Sequence, residues 1–143
     1  MLQVTSNDIT LEQQVLDMVK DTDLFRDLIF FHNRPDSVYD FAGFLKTMPV
    51  CEVDIKVREE SSFSFPNYFV SKEKVGWMRG HPRLDYYIVY FFNGDKKIRI
   101  YQLNSLDLKS RMLNFKHKRS GRNLTSMVFL VPAQEFAAEY YYF

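Results

Sequence analysis

Asp54 and Lys56, separated by one residue in the run CEVDIKVR (residues 51–58), are the pair whose types and spacing could do chemistry. Successive side chains of a strand point to opposite faces, so Glu52, Asp54, Lys56 and Arg58 share one face and Cys51, Val53, Ile55 and Val57 the other. The preceding stretch VYDFAGFL has strand propensity and connects through KTMP, which predicts a hairpin with Asp40 on one arm and Asp54 on the other. Two carboxylates on neighbouring strands make an oxygen-rich site suited to Mg²⁺ or Mn²⁺, with the Ile55 carbonyl between Asp54 and Lys56 as a further donor. A lysine beside them can hold a water or hydroxide, or neutralise charge gathering on a phosphate. Those parts suit phosphodiester hydrolysis. The plainer alternative is a half-exposed antiparallel strand whose charges form surface ion pairs of little energetic weight.

The elements that must position these groups are legible from periodicity and turn chemistry. TLEQQVLDMVK predicts an amphipathic helix, with Thr10 and Gln13 at capping-box spacing and Leu11, Val15, Met18 and Val19 on one stripe. DLFRDLIFF predicts a further turn or two of helix leading into the turn-rich HNRPDS. EESSFSFPNYF reads as a loop whose Phe63, Phe65, Tyr68 and Phe69 either anchor it or stack on bases. Ser71 is placed to cap a helix over SKEKVGWMRGH, which must end by His81 because Pro82 follows. Lys72 and Lys74 on that helix are read as phosphate contacts or as its ordinary polar face. YYIVYFF predicts a buried strand, Asn93-Gly94-Asp95 a hairpin turn, and KKIRIYQL its return arm. SMVFLVP predicts the last strand, followed by an aromatic tail, AAEYYYF.

A length of 143 residues fits one ordinary domain spanning 1–143 and able to bury a core without staples. The single cysteine, Cys51, falls among alternating apolar positions and reads as a small core residue, which fits a reducing, cytosolic setting. No run has the length and apolarity of a membrane span or a signal peptide, so no membrane partner is expected. The net charge of +1 hides an asymmetry: up to Glu60 there are twelve acids against six Lys and Arg, and beyond it six against thirteen. The segment KSRMLNFKHKRSGR carries Lys109, Arg111, Lys116, Lys118, Arg119 and Arg122, a composition that favours polyanions or forms a solvated basic loop. His32, His81 and His117 are too scattered for structural zinc. No Ser-His-Asp order, phosphate loop or dinucleotide glycine fingerprint occurs.

With those residues in view, the chain resembles the PD-(D/E)xK nuclease superfamily, the restriction-endonuclease-like class, and in particular its small phage-encoded members. The resemblance rests on Asp54-Ile55-Lys56 as the (D/E)xK element, on an upstream acid, and on the order EVDIKVR, PNYFVSKEKV, YYIVYFFNGDKKIRIYQL, KRSGRN, VFLVP, about two-thirds of the chain. It implies an α/β, three-layer fold with a central mixed β-sheet flanked by helices. It also implies a metal-dependent nuclease acting on DNA, with Mg²⁺ or Mn²⁺ held by Asp40 and Asp54 and with Lys56 as a catalytic group. Lys116, Lys118, Arg119 and Arg122 would grip the nucleic acid. A homodimer and a cytoplasmic location, in the host if phage-encoded, are in keeping with it. Pro35-Asp36 supplies the literal dipeptide, but the superfamily tends to place its first Asp on the strand before the (D/E)xK strand, which favours Asp40 over Asp36. The chain departs from the family's pattern by having Asp where Glu is commoner and by adding Glu52 on the same face, so Glu52 and Asp54 both stand as ligands. Glu12 matches a glutamate often found on the first helix, yet its place near a helix N-terminus is accounted for by the dipole. Two rival readings remain: a catalytically inactive nuclease-like module that binds nucleic acid or protein, and a protein that assembles through AAEYYYF.

Overall fold

The computed structural model describes residues 8–116 and 119–142, with side chains described from residue 11. Lys118 and His117 therefore lie outside the described residues. The central layer is a six-stranded sheet in the order β1(Ile29–His32), β2(Phe41–Leu45), β3(Met48–Arg58), β5(Asp85–Phe92), β6(Lys97–Gln102), β9(Ala138–Tyr141). The β3–β5 pair is parallel and the other pairings in this sheet are antiparallel, so the sheet is mixed. Helix α1(Asp8–Val19) packs on one face. The other face is covered by helix α2(Lys72–Gly80) and a second sheet of β4(Asn67–Ser71), β8(Asn123–Pro132) and β7(Lys109–Lys116), with β8 in the middle. The architecture is α/β in three layers around a central mixed sheet, as expected, with one difference: most of one outer layer is a sheet rather than helices.

Each layer follows from local chemistry. The seven residues Tyr86–Phe92 are all buried, as expected of a central strand covered on both faces. On one side Val15, Leu16 and Val19 of α1 and Phe25 pack against Cys51, Val53, Ile55, Val89 and Ile100. On the other, Val75 and Met78 of α2 and Phe129 and Val131 of β8 pack against Tyr86, Ile88 and Tyr90. Helix α2 begins where its sequence requires: Ser71 Oγ accepts from the Lys74 amide at 3.3 Å, and the chain leaves the helix at His81, ahead of Pro82.

Several expectations need correction. Helix α1 starts at Asp8, which puts Thr10 inside its first turn. Only a turn follows it, with the Arg26 amide bonded to the Thr22 carbonyl, and Ile29–His32 becomes an edge strand because Phe30 packs on the α1 side of the sheet. Strand β2 begins at Phe41, so Asp40 sits one residue before it rather than on it. The last three residues of the segment read as loop, Asn67 to Phe69, belong to strand β4, which pairs with β8 and runs on to the cap residue Ser71. Residues 109–116 of the basic segment form strand β7, because β8 offers them an antiparallel ladder along their whole length. The aromatic tail is β9, committed to the chain's own sheet beside β6, with Tyr140 and Tyr142 against the core.

Candidate active site

The charged face of β3 is not wet. The layer containing α2, β4 and β8 lies over it, and Asp54 is 2% exposed. An ionised carboxylate in such a place requires compensation. Lys56, two residues on along β3, brings its Nζ to 3.2 Å from Asp54 Oδ2, and Lys74 of α2 reaches the same oxygen at 3.4 Å. Both ammonium groups approach as ion pairs rather than in hydrogen-bond alignment, and Oδ2 accepts no hydrogen bond among the described residues. Lys56 is about a third exposed and Lys74 half of that, so the pair faces outward from a buried acid.

Asp40 joins this group from the segment ahead of β2. The antiparallel register pairs Phe41 with Val53, so the residue before Phe41 falls opposite Asp54. Asp40 Oδ2 accepts from the Ile55 amide at 2.8 Å, which fixes the carboxyl across the strand. Its neighbour Tyr39 is buried and donates its hydroxyl to the Lys74 carbonyl at 2.9 Å, and Asn33 clamps the same segment through the Asp40 and Tyr39 carbonyls. One short segment thus positions both Asp40 and the helix turn that carries Lys74.

Burial pushes the Asp40 carboxyl up to about 7, with the Asp54 charge and a hydrogen bond between the two carboxyls adding to the rise. The Ile55 amide opposes it, and the Glu12 charge adds a smaller upward push. Like charges held together in a poorly solvated site favour one shared proton or one bound cation. Burial also holds the Tyr39 phenol far above its ordinary value, so it remains a donor.

Hard oxygen donors, one of them a buried carboxylate oxygen without a hydrogen bond, fit a small divalent cation. Among the described residues no group of three or more His, Cys, Asp and Glu side chains is arranged to hold a metal, so Asp40 and Asp54 would leave the other positions to backbone, water or substrate.

Asp40, Asp54 and Lys56 are brought together; the other candidates are not. Asp36 is exposed and lines a separate cavity of about 280 Å³ with Arg34, Glu52 and Trp77. Glu52 is engaged: Trp77 Nε1 donates to its Oε2 at 2.8 Å and Asn33 Nδ2 to its Oε1 at 3.3 Å. Lys116, Arg119 and Arg122 lie at the far end of the β7–β8 hairpin, where Lys116 pairs with Asn123 and β4, which pairs only with Val128–Pro132, no longer accompanies the strands. Sequence reasoning left two participants undecided. Lys74 was one of two lysines on a helix of unknown facing; the 3.6-residue repeat places it on the turn with buried Val75 and Met78, the signal that separates it from Lys72. Glu12 lines a cavity of about 320 Å³ with Lys56 and Arg58, and its Oε2 lies 3.9 Å from His32 Nε2.

No family model and no curated protein matches this chain. Among solved structures it is similar to Hjc, a Holliday junction resolvase from Archaeoglobus fulgidus, an archaeal hyperthermophile, at 15% identity over 85% of this chain and 87% of that one, with a TM-score of 0.47.

Proposed function

We propose that this protein is a Mg²⁺- or Mn²⁺-dependent nuclease that hydrolyses phosphodiester bonds of DNA, acting as a single domain in the cytoplasm and as a homodimer where two strands are cut. The observation that carries the reading is the buried Asp54 carboxylate, set beside Asp40 and faced by Lys56 and Lys74 on one oxygen. Asp40 and Asp54 would hold the metal, which when bound supplies charge to polarise a phosphoryl oxygen and to acidify a water. Lys56, the more exposed lysine, orients the attacking water or stabilises the charge that develops on the phosphate. Lys74 pairs with the same Asp54 oxygen from the helix side and holds the carboxyl in place. Lys116, Arg119 and Arg122 bind the backbone at a distance from the chemistry, and Lys118, by its place in the same basic run, shares that role.

Titration calorimetry of Mn²⁺ and Mg²⁺ into wild type and Asp54→Asn, run beside cleavage of DNA and RNA substrates, tests this. Metal binding should disappear in the variant and cutting should fall roughly 100-fold or more, while DNA affinity in EDTA holds. Cutting by Asp54→Asn at the wild-type rate, or a wild type that neither binds metal nor cuts, would sink the reading. One observation favours a second reading, a nucleic-acid-binding module without catalysis: two lysines already balance Asp54 with no cation. In that case DNA affinity persists and no metal binds.

A further inference from the structure

Beyond Lys56, the same face of β3 runs into a cavity of about 390 Å³ whose apolar wall consists of Phe65, Tyr68, Phe69 and Tyr90, with Arg58 and Arg111 at its edge. Tyr90 is the cross-strand partner of Lys56, and Arg58 follows Lys56 by one strand repeat, about 7 Å. The cavity and the carboxylate cluster are therefore neighbours along one strand. Its floor is rigid: Tyr68 and Tyr90 are buried, with ring centroids 4.9 Å apart, and the Arg58 guanidinium lies over the Tyr90 ring at 5.9 Å. Its rim is not covered, since Phe65 is 52% and Phe69 45% exposed. Such side chains are unfavourable in water unless something stacks on them. Glu60 and Asn67 add an acceptor carboxylate and an amide, the groups that read amino and carbonyl edges of bases.

We propose that this cavity receives one unpaired nucleobase of the strand whose phosphate lies at Asp40 and Asp54, so that the protein selects substrates with single-stranded or unstacked nucleotides beside the cut. The inference rests on the nuclease reading for the position of that phosphate. A base inside a duplex is stacked on both faces and presents only its edges, whereas a concave aromatic wall needs a free face. The two arginines hold the flanking phosphates, and the size is that of a pocket for a single small ligand rather than for a helix.

The test uses the full-length chain, with Phe65→Ala, Phe69→Ala and the double variant, both positions being exposed enough to leave folding intact. Binding of a fluorescein-labelled oligothymidylate and of a duplex of equal length is measured by anisotropy in EDTA, and cleavage is measured separately with Mn²⁺. Single-strand affinity should fall roughly 5- to 100-fold per lost stacking contact, with Phe65→Trp restoring it, while duplex affinity is unchanged. Equal losses on both substrates, or none on either, overturn the proposal; a changed sedimentation coefficient with unchanged oligothymidylate binding overturns it in favour of a second copy of the chain as occupant. Failure of the nuclease reading is separately visible: wild type then cuts nothing, yet the aromatic variants still lose single-strand affinity.

Discussion

Asp40→Asn in the metal-free protein isolates the carboxyl pair. The substitution keeps an oxygen for the Ile55 amide but removes the group that titrates against Asp54. In the folded chain Asp40 is raised from 3.8 to about 7, first by burial and then by Asp54. Between those values the folded protein retains a proton that the unfolded chain has lost. The stability so gained is complete below about 4 and disappears as pH climbs through 7. Each pH unit of that window is worth about 1.4 kcal/mol. Because Asp40 is only partly covered, solvent screening trims the total to about 1–2 kcal/mol. With a urea dependence of about 2 kcal/mol/M, the wild-type midpoint should fall by roughly 0.5–1 M between pH 4 and pH 8.5 in EDTA through this group. The Asn variant should lack that component, so the two curves converge toward or cross at high pH. Parallel pH profiles for the two proteins, or a wild type that gains on the variant as pH rises, would refute the argument that burial beside Asp54 holds a proton on Asp40.

Arg119→Ser with Arg122→Ser should make the log–log salt dependence of DNA binding shallower by about 1.4–1.8, as for two lost phosphate contacts, without changing metal affinity. An unaltered slope would remove the hairpin tip from the interface. Gly94→Ala should destabilise by about 1–3 kcal/mol in urea melts. Its added Cβ would stand 2.8 Å from the Ser61 nitrogen and 2.9 Å from the Glu60 carbonyl carbon, both backbone atoms that cannot swing aside. A midpoint equal to wild type would mean that the 59–62 segment yields freely.

Local signals were readable where one short-range force decides. The Ser71 cap with Pro82 beyond it delimits α2 to within a residue, and Asn93-Gly94 sits in the β5–β6 turn, although the left-handed residue there is Lys96. Signals failed where a distant partner decides. Asn67–Ser71 is too short and too rich in flanking Phe and Pro to declare a strand; it becomes one because β8, some sixty residues later, offers it an edge. Ile29–His32 follows a helical turn with apolar residues that suit either state, and packing of Phe30 against Phe25 selects the strand. The tail AAEYYYF reads as needing cover, with another chain as one source; Ala138–Tyr141 find it on the edge of β6. Asp40 was assigned to the right neighbourhood on the wrong footing: the ladder with β1 starts at Phe41, and Asn33 holds the preceding residues in a turn instead.

The alternation in CEVDIKVR identifies which side chains share a face but says nothing about what covers it. Here both faces are covered at Asp54, and that changes the physical meaning of its charge. A solvated Asp54 next to Lys56 would be an ion pair of little consequence. A buried one is expensive, and an apolar residue at the same position would give the core the same packing or better stability. The fold instead brings a second lysine from a helix twenty residues away, and ties that helix through the Lys74 carbonyl to Tyr39, the residue next to the second carboxyl. Stability alone would place an apolar side chain at Asp54; two lysines and a second acid gathered around it are what the proposed chemistry at the site would account for, since desolvated charge is tolerated where function needs it.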